Sequence, residues 1–303
     1  MPESVAVTGA TGFIGGALVR ALIKEGWKVR ALTRRPRPDN ESTQWIEGDL
    51  DNPEALRNLV KDVSAVVHCA GQVRGRSLED FAHTNVEGTH NLVRASIERD
   101  SPPRFLFISS LAARQPELSW YAESKHVAEQ LLIDHSHVLP CAVFRPTAVY
   151  GPGDKEMSPL FRATRRGILP MVGQAAMRFG LLHVNDLVAA ILCWLSTGIP
   201  IKGIYELDDG RPGGYDCQSV AFIAQQVWKR QVHCVFLPAP LVSAIANINL
   251  WGARLLGYSP MLTPGKVREL RHENWVCDIT PLIQALPPWQ PRIRLNDALS
   301  QAI

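Results

Sequence analysis

A glycine-rich turn near the start of the chain constrains its fold more than any other stretch. Val5-Ala6-Val7 is a short apolar run that predicts a buried strand, and residues 17–23 have the apolar spacing of a helix. Between these two segments lies the sequence Thr8-Gly9-Ala10-Thr11-Gly12-Phe13-Ile14-Gly15-Gly16. A strand, a glycine-rich turn and a helix in this order form a cradle for the phosphates of a dinucleotide, because the first helical amides are unpaired and carry partial positive charge.

The three spaced glycines have separate tasks in such a cradle. We expect Gly9 to permit the tight turn, Gly12 to let the backbone approach the pyrophosphate, and Gly15 to let helix and strand pack closely. Their spacing, G-x-x-G-x-x-G, is one residue wider than the commoner fingerprint. Its position after a strand and at the start of a helix nevertheless predicts cofactor binding.

Length, charge and cysteine content limit the class of protein. The 303 residues suffice for one large α/β unit or for two lobes, and a net charge of +3 is too small and dispersed to indicate nucleic acid. We find no signal peptide before the first strand and no run of about 18 uncharged apolar residues that would span a membrane. The cysteines show neither metal-ligand spacing nor a dense disulfide framework, so we expect a reducing, cytoplasmic setting: Cys69, Cys141, Cys193, Cys217, Cys234 and Cys277.

The end of the second strand, predicted over Lys28–Thr33, is where such folds select their cofactor. An acidic residue there would hold the ribose hydroxyls of NAD, whereas an arginine suits the 2′-phosphate of NADP. The chain has Arg34 and Arg35 at this place, and the first acidic residue is Asp39. The basic pair indicates NADP, with NAD as the alternative cofactor and a solvated basic loop as the alternative interpretation.

Strands alternate with helices along the first half of the chain. Short apolar segments at 44–46, 64–71 and 105–108 predict further strands, and residues 78–99 predict a helix. This alternation predicts an α/β fold with a Rossmann-type doubly wound parallel sheet, covered on both faces. Ligands bind at the carboxyl ends of such strands, where the chain places Arg34, Asp49, Ala70 and Ser110. His68, also at a strand end, is more typical of a packed histidine than of a catalyst.

The next helix contains Tyr121-Ala122-Glu123-Ser124-Lys125. Residues four apart share a helix face, so the Tyr121 hydroxyl and the Lys125 ammonium can serve one site. A free tyrosine has a pKa near ~10, and we expect the adjacent cation to lower it enough for acid–base catalysis. Ser110, at the end of the preceding strand, can hydrogen-bond the substrate oxygen.

These motifs together resemble the extended short-chain dehydrogenase/reductase family. The resemblance rests on the glycine turn, Gly48-Asp49-Leu50, Asn85 within Thr84–Thr89, Ser109-Ser110, Tyr121 to Lys125, Arg145–Gly153 and His183-Val184-Asn185-Asp186. It implies that Tyr121 is the acid/base, that Lys125 holds the nicotinamide ribose and tunes the tyrosine, and that Ser110 positions the reacting oxygen. Ser109 is the alternative to Ser110 if the register differs by one residue.

The resemblance also implies a set of cofactor-binding residues and no metal. Those residues are Gly9, Thr11, Gly12, Phe13, Ile14, Arg34, Asp49, Leu50, Ala70, Gly71, Asn85, Ser109, Tyr121, Lys125, Pro146, Thr147, Ala148 and Val149. The last four belong to the segment that resembles the family's nicotinamide-side loop.

We predict a division into two parts. Residues 1–170 would form the NAD(P)-binding domain, with segments around 181–210 rejoining it, and residues 171–303 would form mainly a smaller α/β substrate lobe. In that lobe, residues 240–258 predict a long apolar helix that packs within its own core or lines an apolar pocket through Leu241, Ile245, Ile248, Trp251 and Leu255. A helix that leans on a membrane is the weaker alternative.

Three functions fit these features. The leading one is an NADP-linked oxidoreductase that interconverts a hydroxyl and a carbonyl on a small or lipophilic substrate. A nucleotide-sugar epimerase or dehydratase would use the same residues, but Arg178 stands five residues before His183 rather than four, with Phe179 in the matching place. The third is a non-catalytic nucleotide-binding accessory protein, which the presence of both Tyr121 and Lys125 disfavours.

We expect a small-molecule substrate, no stable membrane insertion, and a homodimer as the candidate assembly.

Overall fold

A twisted sheet of seven parallel strands forms the centre of the molecule. The computed structural model describes residues 3–198 and 200–301. The strands are β1 (Ser4–Thr8), β2 (Lys28–Thr33), β3 (Thr43–Glu47), β4 (Ala65–His68), β5 (Arg104–Ile108), β6 (Cys141–Pro146) and β11 (Gly203–Leu207). Their order in the sheet is β11-β6-β5-β4-β1-β2-β3, and every pairing is parallel. The predicted Rossmann-type α/β fold is confirmed.

Helices cover both faces of this sheet. The helices of the described chain, both on the sheet and beyond it, are α1 (Phe13–Lys24), α2 (Pro53–Val60), α3 (Leu78–Ala82), α4 (Gly88–Ile97), α5 (Trp120–Asp134), α6 (Ser158–Arg165), α7 (Val184–Ser196), α8 (Cys217–Trp228), α9 (Ala239–Leu256), α10 (Pro264–Arg271), α11 (Thr280–Ala285) and α12 (Leu295–Ala298). Short 3-10 turns occupy Leu111–Arg114, Pro116–Leu118 and Leu299–Gln301. The helix predicted over 78–99 is interrupted by a π-helical turn, His83–Glu87, between α3 and α4.

Alternate residues of the central strands enter two separate cores. Val5 and Val7 of β1 pack with α1 and α7, whereas Ala6 packs with α2, α4 and α5 on the opposite face. All three side chains are fully buried. An apolar run without polar alternation is therefore what a strand covered on both faces requires.

Local signals in the sequence fix where several helices begin. The Asn52 side chain accepts a hydrogen bond from the Ala55 amide at 3.0 Å, and Pro53 occupies the first helical position of α2. Ser119 caps α5 in the same way, accepting from the Ala122 amide at 3.0 Å. The Ser119 cap fixes the start of the helix that carries Tyr121 and Lys125.

Residues beyond 170 contribute both to the main sheet and to a smaller region. β11 lies at the sheet edge beside β6, and Leu282, Leu286 and Trp289 join the core under α1 and α7. The smaller region contains the strand pairs β7 (Ala148–Tyr150) with β10 (Leu181–His183), β8 (Ile168–Val172) with β12 (His233–Leu237), and β9 (Arg178–Phe179) with β13 (Asn274–Trp275).

A disulfide joins two elements of the smaller region. Cys217 at the start of α8 is bonded to Cys234 of β12, with a Cα–Cα separation of 6.2 Å. The cysteine spacing in the sequence does not predict this pair, because the two residues belong to different elements that only the tertiary fold brings together.

The helix α9 differs from the sequence-based expectation. Its buried residues are Val242, Ala246, Leu250 and Ala253. The five residues expected to lie in a core or line a pocket are instead exposed at the surface: Leu241, Ile245, Ile248, Trp251 and Leu255. This expectation is wrong because the neighbouring elements cover one side of the helix, where Val242 and Ala246 pack with Val267 of α10. Within the described residues, no helix is both long enough and apolar enough to span a bilayer.

Candidate active site

The glycine-rich turn forms a cradle that leaves no room for side chains. Gly9 has a φ of +66°, and a Cβ there would lie 2.7 Å from the Ala70 amide nitrogen. A Cβ at Gly15 would overlap the carbonyl oxygen of Gly9. Gly12 begins α1 without a capping side chain, so the amides of the first helical turn face the cradle. The cradle therefore fits a dinucleotide diphosphate, which needs close backbone approach and amide donors.

The side chains predicted around this cradle lie at its rim. Thr11 is exposed, and Phe13 and Ile14 are half-buried in the first turn of α1. Arg34 is exposed directly after β2. Asp49 is exposed after β3, where its carboxylate accepts from the Asp51 amide at 3.0 Å, while the neighbouring Leu50 is buried.

Asn85 connects the loop after β4 to α5, the helix that carries Tyr121 and Lys125. Its side-chain oxygen accepts from the Gln72 amide at 2.7 Å, and its nitrogen donates to the Gln72 carbonyl at 3.0 Å and to Ser124 Oγ at 2.9 Å. A Cβ at Gly71 would lie 3.3 Å from the Asn85 oxygen and 3.6 Å from Lys125 Nζ. Asn85, Gly71 and Lys125 are thus brought together, and the π-helical turn that carries Asn85 is a feature often found at functional sites.

The two serines after β5 have different surroundings. Ser109 is buried, and its hydroxyl donates to Glu129, which also forms a buried ion pair with Arg145. The Ser110 hydroxyl accepts from the Ala112 amide at 3.2 Å and lies close enough to Tyr121 to lower the pKa of the Tyr121 hydroxyl. Ser110 is therefore the serine that shares a site with the tyrosine.

Lys125 is buried on α5, one helical turn after Tyr121. Its ammonium donates to the Ile108 carbonyl at 2.8 Å and lies 4.1 Å from the centre of the Phe107 ring. Burial lowers the pKa of Lys125 to about 8, although the nearby Glu129 carboxylate favours the charged form.

The expectation that Lys125 lowers the pKa of Tyr121 is wrong for the residues of this chain. Burial raises the pKa of Tyr121 to about 12; the Ser110 hydrogen bond lowers it, and the Glu269 and Glu129 carboxylates raise it further. The Lys125 ammonium is instead directed at the backbone of β5. Tyr121 is consequently a protonated hydroxyl at neutral pH, suited to donate a proton.

The segment after β6 contributes an unsatisfied polar group. Pro146 and Thr147 link β6 to β7, which begins with Ala148 and Val149. Among the described residues, no hydrogen-bond partner reaches the buried Thr147 hydroxyl. A buried hydroxyl left unpaired by the protein is the kind of group that a bound ligand satisfies, and its place fits the predicted nicotinamide side of the cleft.

Two carboxylates near Tyr121 were not predicted from the sequence. Glu129 lies one turn after Lys125, so the i, i+4 rule could have placed it on the same helix face. Glu269 of α10 accepts a hydrogen bond from the Ser119 hydroxyl and pairs with Lys266 at 2.8 Å. It lies far from Tyr121 in sequence, and no local pattern indicates that it approaches the site.

His68 and Arg178 are both engaged by protein groups. The rings of His68 and Phe107 stack, and the two His68 ring nitrogens lie 2.6 Å from the Thr8 hydroxyl and 3.0 Å from that of Thr89. Burial lowers its pKa to about 3, so His68 is a neutral core residue. The Arg178 guanidinium forms an ion pair with Asp216 at 2.6 Å.

A cavity of about 450 Å³ adjoins the site on the side of Gln72. It is lined by Gln72, Arg76, Glu79, Asp80, His83 and Ser259. Gln72 is hydrogen-bonded to Asn85, so the cavity borders the group of residues around Asn85 and Lys125. A dinucleotide cradle and a Ser–Tyr–Lys group at the carboxyl ends of one parallel sheet indicate an NAD(P)-dependent enzyme that transfers hydride to or from its substrate.

Comparisons with known proteins agree with this class. Residues 5–207 match the NAD dependent epimerase/dehydratase family. The chain is 36% identical over 291 residues to a ceramide reductase of Caulobacter vibrioides, covering 93% of this chain and 89% of that protein. It is 30% identical over 323 residues to a 3 beta-hydroxysteroid dehydrogenase/Delta 5-->4-isomerase of Mycobacterium tuberculosis, covering 86% of each.

Solved structures show the same fold at lower identity. The structure of MoeE5 in complex with UDP-glucuronic acid and NAD has a TM-score of 0.75 and 24% identity, covering 99% of this chain and 97% of that one. The chain belongs to the NAD-dependent epimerase/dehydratase family and is an extended short-chain dehydrogenase/reductase.

Proposed function

We propose that the protein is an NADP-linked reductase that converts a carbonyl group to a hydroxyl on a lipophilic substrate. The observation that carries this proposal is the approach of Ser110 to the Tyr121 hydroxyl, with Lys125 buried one helical turn further along α5 and the glycine cradle at the same end of the sheet. Bound NADPH supplies the hydride that the carbonyl carbon accepts. The protein's own residues then orient the carbonyl oxygen and supply its proton.

Each catalytic side chain has a separate task in this proposal. Ser110 donates a hydrogen bond to the substrate oxygen and so holds it beside Tyr121. Tyr121 transfers its hydroxyl proton to that oxygen as the carbonyl is reduced. Its raised pKa of about 12 keeps the hydroxyl protonated before the reaction. Lys125 holds the nicotinamide ribose of the bound cofactor, and its ammonium lies close to Gly71 and Asn85 at the same end of the sheet.

The preference for NADP rests on the basic residues after β2. Arg34 is exposed there, free of the burial that would hold it away from a ligand. Asp39, the first acidic residue, accepts a hydrogen bond from the Trp45 amide at 2.6 Å, which commits its carboxylate to the backbone of β3. An arginine is thus available for a 2′-phosphate, and the acid that NAD would require is engaged elsewhere.

Titration of both cofactors by fluorescence tests this preference. A phosphate held by arginine contributes on the order of 2–3 kcal/mol, so NADPH should bind about 30- to 150-fold more tightly than NADH. Arg34→Asp should remove most of that difference, and Arg37→Asp is a matched control because Arg37 lies over the Trp45 ring. Equal affinities of the native protein for both cofactors would refute the NADP assignment.

The lipophilic substrate is inferred from the relatives and from the engagement of Arg178. The similarity to a ceramide reductase extends over 93% of the chain, which makes a ceramide-like long-chain lipid the first class to test. A nucleotide diphosphate would need cationic partners on leaving water, and the Arg178 guanidinium is already paired with Asp216.

A substrate panel separates this function from the epimerase alternative. NADPH oxidation should be followed with long-chain keto-lipids in detergent micelles, with simple and steroid ketones, and with UDP-sugars. We expect net NADPH consumption with the lipid carbonyl compounds. Conversion of UDP-sugars without net cofactor consumption, lost in Arg178→Ala, would instead assign the chain as an epimerase.

A further inference from the structure

The helix α9 has two apolar stripes, and only one of them is covered. Val242, Ala246, Leu250 and Ala253 face the protein. The outer face of α9, formed by Leu241, Ile245, Ile248, Trp251 and Leu255, is 47 to 70% exposed. These five positions follow a helical spacing, so their side chains form one continuous stripe along the helix. A contiguous apolar surface of this kind indicates an interaction site, because scattered single residues are the usual form of exposed apolar side chains.

The apolar surface continues into the strand that precedes α9. Val235, Phe236 and Leu237 of β12 are all about two-fifths exposed. β12 ends two residues before α9 begins, and Val172 of the paired strand β8 packs against the buried side of α9. Strand and helix, which adjoin along the chain, therefore both expose apolar side chains.

The sequence segment that contains α9 carries charge of one sign, and an acidic residue that approaches it is Glu79 of α3, close to Arg254. Residues 217–268 contain Lys229, Arg230, Arg254, Lys266 and Arg268 and no aspartate or glutamate. Lys229, Arg230, Arg254 and Arg268 are exposed. Trp251 on the outer face and Tyr258 just after α9 have the amphipathic rings that favour the boundary between water and lipid.

We propose that the outer face of α9 docks onto the surface of an anionic phospholipid bilayer. The helix would lie in the plane of the interface with its apolar stripe among the acyl chains and the basic side chains near the head groups. A second copy of the chain is a poorer occupant, because a symmetric contact would bring the same basic residues of the two copies together. The acidic lipid surface complements that charge.

The docked face would border the opening of the catalytic cleft. Arg254, on α9, donates a hydrogen bond from Nε to the Arg76 carbonyl at 3.4 Å. Arg76 lines the cavity beside Gln72, and Ser259, just beyond the end of α9, lines the same cavity. A lipid leaving the bilayer at this helix would therefore meet the cleft directly. Binding to the bilayer itself does not depend on the reaction proposed above.

Vesicle co-sedimentation tests the docking surface with the full chain. The vesicles are phosphatidylcholine alone or an equal mixture of phosphatidylcholine and phosphatidylglycerol. We expect binding to the mixed vesicles, weakened by added salt and much weaker with phosphatidylcholine alone. The double variant Ile248→Gln/Trp251→Gln should lower binding by at least about tenfold, since both side chains would lose their place among the acyl chains.

A matched control separates this surface from exposed apolar residues in general. The double variant Ile133→Gln/Val138→Gln changes two side chains with 43 and 44% exposure in and after α5, and it should bind vesicles like the native protein. Thermal unfolding of both variants checks that they remain folded. Absence of vesicle binding, or equal binding by both double variants, would overturn the proposal. So would a native dimer that Ile248→Gln/Trp251→Gln converts to a monomer without any vesicle binding, since that result assigns the face to a second copy.

Discussion

The helices α7 and α9 have similarly apolar sequences, but the protein covers α7 on several sides and α9 on one side. In α7, the apolar residues are buried on several sides: Val184, Leu187, Val188, Ala190, Ile191, Trp194 and Leu195. In α9, one apolar stripe is buried and the other is exposed. The apolar periodicity that predicts a helix therefore does not tell how many of its sides will be covered.

The difference arises from the layers around each helix. α7 lies against α1, and Leu282, Leu286 and Trp289 join the same core, with the Trp289 indole donating to the Asp186 carbonyl at 3.0 Å. α9 packs on α10 and the end of β8. A helix covered by two layers is stabilised by apolar residues on several sides. A helix covered by a single layer gains no stability from an outer apolar face, so such a face indicates an interaction site.

Shortening one apolar side chain in each helix should give the largest difference between the two helices, measured as the free energy of unfolding. Leu187 is fully buried, so Leu187→Ala should lower the free energy of unfolding by about 2–5 kcal/mol. Ile248 is 70% exposed, and Ile248→Ala should change it by less than about 0.5 kcal/mol. Urea unfolding measures both values. A loss above about 2 kcal/mol in Ile248→Ala would show that the outer face of α9 is covered within the protein itself.

Acid should destabilise the sheet region through His68. The pKa of this buried ring is about 3 in the folded chain and 6.5 when exposed, so only the unfolded chain gains a proton as the pH falls below 6.5. Stability should therefore fall between pH 6.5 and about 3, by at most about 1.4 kcal/mol per pH unit from this residue.

Urea unfolding across this pH range should be compared between the native protein and His68→Gln. The variant loses some stability at every pH, but its dependence on acid should be shallower. If the two slopes were the same, His68 would not be the neutral core residue that its contacts with Thr8 and Thr89 indicate.

Helix caps should contribute similar and smaller amounts of unfolding free energy in the sheet region and in the α9 region. Asn52 caps α2 beside the sheet, and Thr263 caps α10 beneath α9, accepting from the Lys266 amide at 3.2 Å. Either residue changed to alanine should cost about 1 kcal/mol of unfolding free energy. Calorimetry of the two variants shows whether both shift one common transition. A Thr263→Ala variant that shifts a separate, earlier transition would mean that the α9 region unfolds by itself.

The sequence predicts the sheet and most of the site because their signals are local. Gly9 and Gly15 mark backbone approaches that exclude a Cβ, and the spacing of Tyr121 and Lys125 places both on one helix face. The approach of Glu269 to Tyr121 and the exposure of the outer face of α9 depend on contacts between distant segments, which no local spacing encodes. The raised pKa of Tyr121 has the same origin, since burial and these carboxylates determine it.

The central claim is that Tyr121 donates a proton to the substrate oxygen. The glycine cradle binds the cofactor and takes no part in this proton transfer. The most direct test of this claim is Tyr121→Phe, with turnover measured on a substrate from the panel and NADPH affinity measured by fluorescence. Turnover should fall by about 10²- to 10⁴-fold, because the proton donor is lost while the ring that packs near Phe81 remains. NADPH affinity should stay within about twofold of the native value, since the cradle is unchanged. Retention of most of the turnover would contradict the assignment of Tyr121 as the proton donor.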